Sequence, residues 1–178
     1  RINEFLNKKS EIENISPNKS SKIDGEIIFK NVTYKYLETE IIATKNVSFI
    51  LKKGSKLGIT GSTGSGKSTL MNLICRLYDI EEGEILIDNK PVKKINLKSL
   101  REAIGYVPQD TFLFSDTIMN NIKFGLNNAT DNDVINACKT AKIHNEIMNF
   151  DKGYQTLLGE RGINLSGGQK QRISIARA

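Results

Sequence analysis

The feature that most constrains this chain is the eight-residue stretch Gly61–Ser68, which reads GSTGSGKS. It fits the pattern G-x-x-x-x-G-K-[ST] at every fixed position, with an apolar segment before it and an amphipathic one after it. Phosphate oxygens need a concave row of backbone N–H groups, and glycine lets the backbone come close enough. A helix that begins at the end of the loop adds its positive dipole end. The sequence therefore predicts a nucleotide phosphate site between a strand and a helix.

The pattern of this phosphate loop and the next residue also predict individual roles for three side chains. Lys67 is expected to reach the β- and γ-phosphates, the Ser68 hydroxyl to ligate Mg²⁺, and the neighbouring Thr69 hydroxyl to reach the α-phosphate. A flexible Gly/Ser-rich loop is the alternative, and the apolar flanks disfavour it. The remaining predicted binding residues are Gly61, Ser62, Thr63, Gly64, Ser65 and Gly66.

A second helix start with adjacent glycines lies near the end of the printed sequence. There Leu165 is followed by Ser166, Gly167, Gly168 and Gln169. Serine with glutamine three residues later is a capping box, which begins a helix. A capping box does not require two glycines, and small residues leave the helix N–H groups bare. The segment therefore predicts a second anion-binding site.

Together these two segments resemble the ATP-binding cassette (ABC) ATPases, in which LSGGQ is the signature motif. The resemblance extends from Glu26 onward and implies ATP and Mg²⁺ as ligands, with ATP hydrolysis by the full-length protein. It implies that Tyr36 stacks on adenine and that Gln109 touches the Mg²⁺ and its water, so that Lys67 and Gln109 are the catalytic candidates. Family members pair head to tail, so Ser166, Gly167, Gly168 and Gln169 would contact ATP bound to a second nucleotide-binding domain.

The expected fold is α/β, with a P-loop NTPase core and an N-terminal antiparallel β portion. β-branched, partly alternating stretches predict strands over 26–36, 45–51 and 84–88, and shorter apolar stretches predict strands over 56–60 and 105–107. A helix is predicted from Gly66, with Leu70, Leu73, Ile74 and Leu77 on one buried face. Another helix is predicted to start at Thr130 and Asp133, inside a helical subdomain over about 111–164.

Residues 1–25 are polar and are expected to be a linker from a preceding transmembrane domain, followed by the nucleotide-binding domain over 26–178. Arg1–Leu6 resembles the junction of fused exporters. The resemblance places the Walker B aspartate, the catalytic glutamate and the switch histidine after Ala178. We therefore expect the fold to be incomplete at the C-terminus and the 178-residue chain to bind ATP but hydrolyse it poorly.

Two further stretches resemble exporters rather than other ABC proteins, namely Phe112–Ile118 and Gly159–Gly162. The transmembrane domain of the same or a partner chain is then the expected partner, and the cytoplasmic face of the cell membrane the expected location. An importer-type ATPase and a nucleic-acid-linked ABC ATPase are the alternatives. The net charge of +6 only weakly favours the latter, and we expect no nucleic acid. No N-K-x-D motif supports a GTPase.

Four other residues are interpreted structurally. Asp88 follows an apolar run but precedes the signature segment, so we expect it to close a turn rather than act as Walker B. His144 is expected to be an ordinary surface or core residue. Cys75 and Cys138 are expected to be reduced thiols in apolar surroundings.

Overall fold

The computed structural model describes residues 10, 12–14, 22–37, 39–126 and 128–178. The chain divides into two compact units, Arg1–Ile104 and Gly105–Ala178. The predicted junction over Arg1–Leu6 lies outside the described residues. Among the helices of the described ranges, none is both long enough and apolar enough to span a bilayer.

The first unit is built on an antiparallel sheet, as predicted for the N-terminal β portion. The two long strands form a ladder in which Phe29 faces Phe49, and their rings stack with centroids 4.5 Å apart. The strands are β1 (Ile27–Lys35), β2 (Ile42–Leu51), β3 (Glu82–Ile87) and β4 (Lys90–Pro91). Their order across the sheet is β2-β1-β3-β4.

Two helices complete the first unit, α1 (Lys67–Ile74) and α2 (Leu97–Glu102). Leu73 of α1 and Leu100 of α2 are fully buried in one apolar cluster with Phe29 and Val32 of β1. Removing such side chains from water is the main stabilising term of this unit, at about 1.5–3 kcal/mol each. The core thereby packs α1 against the sheet and fixes where the preceding loop ends.

Asp88 closes the β3–β4 hairpin, as predicted. Asp88 and Asn89 have φ of +49° and +61°, the left-handed values that a two-residue hairpin turn requires. The Asp88 carboxylate also accepts hydrogen bonds from the backbone N–H groups of Asp24, Gly25 and Glu26, at 2.6, 3.0 and 2.9 Å. One side chain therefore holds the segment before β1 against the hairpin.

The second unit is helical around its own apolar core. Thr130 caps the helix Asp131–Thr140 in a complete capping box with Asp133, as predicted from their spacing. The side-chain oxygen of buried Asn121 accepts a hydrogen bond from the Phe114 N–H and so fixes the loop before the helix Ile118–Lys123. Val134, Cys138, Ile147 and Ile173 are buried in the core. The helices are α3 (Ile118–Lys123), α4 (Asp131–Thr140), α5 (His144–Met148) and α6 (Gly167–Arg177).

Three local expectations are wrong. Residues 56–60 and 105–107 form no strand within the described chain, and Leu57 and Val107 are 46% and 40% exposed. Short apolar runs become strands only when a partner supplies the hydrogen-bond ladder, and the described chain supplies none. Leu77 is 43% exposed because α1 ends at Ile74 and Arg76 takes a left-handed φ of +48°.

Candidate nucleotide-binding site

The phosphate loop leads directly into α1, as its sequence predicts. Gly66 occupies the N-cap position with φ +86°, a conformation that a side chain disfavours. A Cβ at Gly66 would also overlap the backbone carbonyl oxygen of Ala43, at the start of β2. Glycine is therefore required here both by the backbone conformation and by the close approach of the neighbouring strand.

Lys67 lies folded over its own loop. Its ammonium group donates hydrogen bonds to the backbone carbonyl oxygens of Gly61 and Ser62, at 2.9 and 2.7 Å. The loop turns on a hydrogen bond of 3.2 Å from the Ser65 N–H to the Ser62 carbonyl. A side chain on Gly61 would come within 2.6 Å of the Ser65 hydroxyl. The glycines thus keep the loop narrow, with a cation held across it.

The start of α1 supplies further polar groups. An α-helix leaves its first N–H groups without intrahelical partners, and those of Lys67, Ser68 and Thr69 belong to this set. Ser68 is exposed, whereas Thr69 is buried and its hydroxyl lies 3.0 Å from the hydroxyl of Tyr36. The contact predicted between Thr69 and the α-phosphate would require that bond to be shared or broken.

Tyr36 lies at the end of β1 beside α1. Its ring meets those of Tyr34 and Tyr78 edge to face, with centroids 5.1 and 5.6 Å apart. The structure therefore places Tyr36 next to the phosphate-loop helix. Its stacking on adenine stays a prediction.

The described residues suit a magnesium ion that arrives with a nucleotide. They contain no group of three or more His, Cys, Asp or Glu side chains that could hold a metal ion. Mg²⁺ commonly keeps several waters and binds phosphate oxygens together with one or two protein ligands. Ser68, exposed on the first turn of α1, has a hydroxyl that fits that donor set.

The signature segment, Leu165–Gln169, starts α6 in the second unit. Ser166 and Gln169 form both halves of the predicted capping box. The Gln169 N–H donates to the Ser166 hydroxyl at 3.2 Å, and the Ser166 N–H donates to the Gln169 side-chain oxygen at 2.9 Å. Gly167 and Gly168 are exposed, and a Cβ on Gly167 would meet nothing within 4 Å. The backbone of this helix start is therefore accessible.

Gln109 lies exposed on a bend in the second unit. The structure brings Tyr36 and Thr69 together in the first unit, and Ser166 and Gln169 together in the second. The phosphate loop and Gln109 belong to different units, so their joint action on Mg²⁺ stays a prediction.

Two side chains near the signature segment were not singled out from the sequence. Glu146 of α5 accepts hydrogen bonds from the Gln169 amide group, at 3.1 Å, and from the Arg172 guanidinium. The bonds from Gln169 and Arg172 lower the pKa of the Glu146 carboxyl, so it is ionised at neutral pH. Gln169 and Arg172 share one helix face at a spacing of three, which was a readable signal. Glu146, 23 residues earlier, carried none.

The remaining candidate residues have structural roles, as expected. The His144 Nδ1 atom lies 2.9 Å from the Tyr154 hydroxyl within the helical unit. Burial raises the pKa of Tyr154 well above its ordinary value, so the phenol stays neutral. Cys75 and Cys138 are both free and buried, and burial raises the pKa of each thiol.

Comparison with known proteins bears on the whole arrangement. A family profile described as ABC transporter matches residues 44–178, which include both glycine-rich segments. The chain is 52% identical over 159 residues to the uncharacterized ABC transporter ATP-binding protein YfiB of Bacillus subtilis, covering 89% of this chain and 28% of that protein. It is 50% identical over 153 residues to the mitochondrial iron-sulfur clusters transporter atm1 of Aspergillus fumigatus, covering 86% of this chain and 21% of that protein.

A solved structure of a bacterial Atm1-family ABC exporter with ATP bound is also similar. It superposes with a TM-score of 0.90 at 38% identity, covering 99% of this chain and 31% of that one. The chain thus spans less than a third of the length of each of these relatives.

Proposed function

Because this chain belongs to the ABC transporter family, we propose that it is the ATP-binding and ATP-hydrolysing domain of an exporter. In the full-length protein it couples ATP binding and hydrolysis to the export of a substrate across a membrane. Its α/β fold with an antiparallel sheet is the ABC ATPase fold expected from the two motifs. Export rather than import is supported by the structural relative, which is an exporter.

The observation that carries the proposal is the position of Lys67. Its ammonium group lies across the phosphate loop, bonded to two carbonyl oxygens of the loop itself. Phosphate oxygens carry full negative charge and are stronger acceptors than peptide carbonyls, so they replace those bonds favourably. The N–H groups at the start of α1 face the same ligand, and the helix dipole adds to the attraction.

Ser68 and Gln109 are the proposed ligands of Mg²⁺. These two residues would hold the ion, which would supply positive charge to stabilise the phosphate charge during phosphoryl transfer. Ser68 follows Lys67 on the first turn of α1, so its hydroxyl is held next to the phosphate loop. Gln109 contributes an amide oxygen, which Mg²⁺ accepts as a ligand.

The signature segment serves a second copy in this proposal. Ser166, Gly167 and Gly168 face the γ-phosphate of ATP held in the phosphate loop of a partner nucleotide-binding domain, in a head-to-tail dimer. The open backbone at Gly167 supports this, because a phosphate can approach without meeting a side chain. ATP then joins the two copies, and hydrolysis removes the group they share.

The location and the other partner follow from the same proposal. The domain lies at the cytoplasmic face of a membrane and contacts a transmembrane domain of the same or a partner chain. The substrate is selected by that transmembrane domain rather than by this 178-residue chain.

Titration with a non-hydrolysable adenine nucleotide and Mg²⁺ tests the proposal. We expect saturable binding that Lys67→Ala weakens by about 10- to 150-fold, since a hydrogen bond to a charged group contributes about 1.5–3 kcal/mol. Lys52→Ala is the matched control, because Lys52 is an exposed lysine of the same unit and its loss changes the net charge equally. Equal affinities for the two variants, or no binding by the wild type, would contradict the proposed function.

A further inference from the structure

Glu146 stands outside every motif, yet its carboxylate holds two side chains of the helix that starts at the signature segment. One carboxylate oxygen accepts from the Gln169 side-chain amide at 3.1 Å, and the other accepts from the Arg172 guanidinium. We propose that Glu146 is a positioning residue, which fixes the backbone of Ser166–Gly168 for contact with the nucleotide of a partner copy. The inference rests on the function proposed above.

The first step concerns the orientation of the Gln169 amide. Its oxygen accepts from the Ser166 N–H at 2.9 Å, while its nitrogen donates to Glu146. An ionised carboxylate can only accept, so it selects the end of the amide that faces it. With the amide reversed, its NH₂ group would face the Ser166 N–H, two donors without an acceptor. The Glu146 carboxylate and the Ser166 N–H therefore select the same orientation of the Gln169 amide, the one that completes the capping box.

The second step leads from the capping box to the ligand surface. The Ser166 hydroxyl accepts from the Gln169 N–H at 3.2 Å, which closes a ring around the first turn of α6. The N–H groups of Gly167 and Gly168 lie inside that turn and have no intrahelical partner. Two adjacent glycines would otherwise sample many backbone conformations. We expect the chain of bonds from Glu146 through Gln169 to Ser166 to hold them in the helical conformation of this first turn.

The third step concerns charge. A bare carboxylate near these N–H groups would repel a phosphate. Arg172 neutralises it, and one guanidinium nitrogen lies 3.5 Å from where a Gly168 Cβ would be. The ionic side chains are 34% and 39% exposed for Arg172 and Glu146, so solvent screens the pair and its own contribution to stability is small. The effect we expect is therefore on ligand contact rather than on folding.

Two variants distinguish a role of Glu146 in positioning the signature segment from a role in merely holding α5 against α6. Glu146→Ala removes both acceptors. Glu146→Gln keeps one oxygen that can accept from the Gln169 amide, but loses the charge that pairs with Arg172. If Glu146 acts through Gln169, the glutamine variant should retain most of the function that the alanine variant loses. Asp151→Ala, at an exposed carboxylate of the same unit, is the control.

The full 178-residue chain is saturated with a non-hydrolysable ATP analogue and Mg²⁺, and its self-association is measured by sedimentation. We expect Glu146→Ala to weaken association about tenfold, Glu146→Gln by no more than about threefold, and Asp151→Ala not at all. The affinity of the monomer for the nucleotide should stay within about twofold in every variant, because the phosphate loop is unchanged. Amide exchange should rise at Gln169 in Glu146→Ala, but not at Val134 or Cys138 in the core.

Any other outcome of these measurements overturns either the role of Glu146 or the proposed function. Association of Glu146→Ala equal to wild type would overturn the inference and leave the proposed function intact. Equal losses in the alanine and glutamine variants, or faster exchange throughout the core, would reduce Glu146 to an attachment residue. A wild-type chain that binds nucleotide without associating would overturn the inference together with the head-to-tail arrangement. A wild-type chain that does not bind nucleotide would overturn the proposed function first.

Discussion

The two glycine-rich helix starts of this chain are built in opposite ways. At the start of α1, the N-cap is Gly66, which has no side chain to accept a hydrogen bond. At the start of α6, Ser166 and Gln169 bond reciprocally, and Glu146 and Arg172 support them from outside. One helix start has no side-chain cap, and the other is held in place by four side chains while its glycine backbone stays accessible.

This difference indicates how the phosphate loop and the signature segment would divide the binding of one ligand. In the phosphate loop, the lysine donates hydrogen bonds to carbonyl oxygens of the loop itself. The first N–H groups of α1 have no intrahelical partner and remain available to a ligand. The signature segment is arranged in advance, so a partner's nucleotide would meet it without reorganisation. Preorganisation lowers the entropic cost of binding, which matters most for the second surface to close.

Alanine substitution of one glycine at each helix start is expected to give the largest effect, and it tests directly whether the two starts differ. Gly66→Ala forces a side chain into a left-handed conformation and against the Ala43 carbonyl, so we expect a loss of about 2 kcal/mol or more in unfolding free energy. Gly167→Ala meets nothing within 4 Å, so we expect unchanged stability or a gain of up to about 1 kcal/mol. Urea unfolding, with amide exchange read separately in the two units, measures both.

Gly167→Ala should nevertheless reduce nucleotide-driven association, because its methyl group occupies the open face of α6. Comparable stability for the two alanine variants would show that the backbone at Gly66 is not constrained as described. Undiminished association of Gly167→Ala would show that this face does not receive a ligand.

Removal of a capping hydroxyl is expected to have an effect of intermediate size. Ser166→Ala should cost about 1 kcal/mol in the stability of the second unit, because one N–H group loses its acceptor. Thr130→Ala, in the capping box of α4, should cost about the same and is the matched control. Only Ser166→Ala should also weaken nucleotide-driven association. Thermal unfolding measures the stability of both variants, and sedimentation measures their association. Equal association of the two variants would contradict the prediction.

The smallest expected effect is a dependence on pH. Hydrogen bonds from Gln169 and Arg172 lower the pKa of Glu146 in the folded chain, below the value of about 4.3 for an unfolded glutamate. The stabilisation is therefore complete above that value and is lost as the pH falls through the folded pKa. The stability difference between wild type and Glu146→Gln should shrink below about pH 4. Urea midpoints of both proteins from pH 3 to 7 measure it, and a constant difference would contradict the assignment.

Much of the fold was readable because the relevant signals are local. The turn at Asp88, the start of α4 at Thr130 and the start of α6 at Ser166 each depend on residues within four positions of one another. The strands expected over 56–60 and 105–107 were wrong because a strand needs a partner, and a single segment does not reveal whether one is present. The exposure of Leu77 was missed because a left-handed Arg76 ends α1 early without a glycine to mark it.

The site divides in the same way. The phosphate loop and the signature segment are contiguous, so their glycines and capping residues could be identified by type and spacing. The bond between Tyr36 and Thr69 joins residues 33 positions apart, and that between Glu146 and Gln169 joins residues 23 apart. Such contacts are created by the packing of a strand on a helix or of one helix on another, which one sequence does not specify.

Lys67 donates hydrogen bonds to two carbonyl oxygens of its own loop, and an incoming ligand must compete with those bonds. If the chain binds ATP as proposed, a ligand must offer several charged oxygens in a row to displace those carbonyl oxygens and turn the ammonium group outward. Nucleosides and other uncharged analogues would then be excluded even where their bases fit. Discrimination in favour of polyphosphates would thus be a property of a single copy.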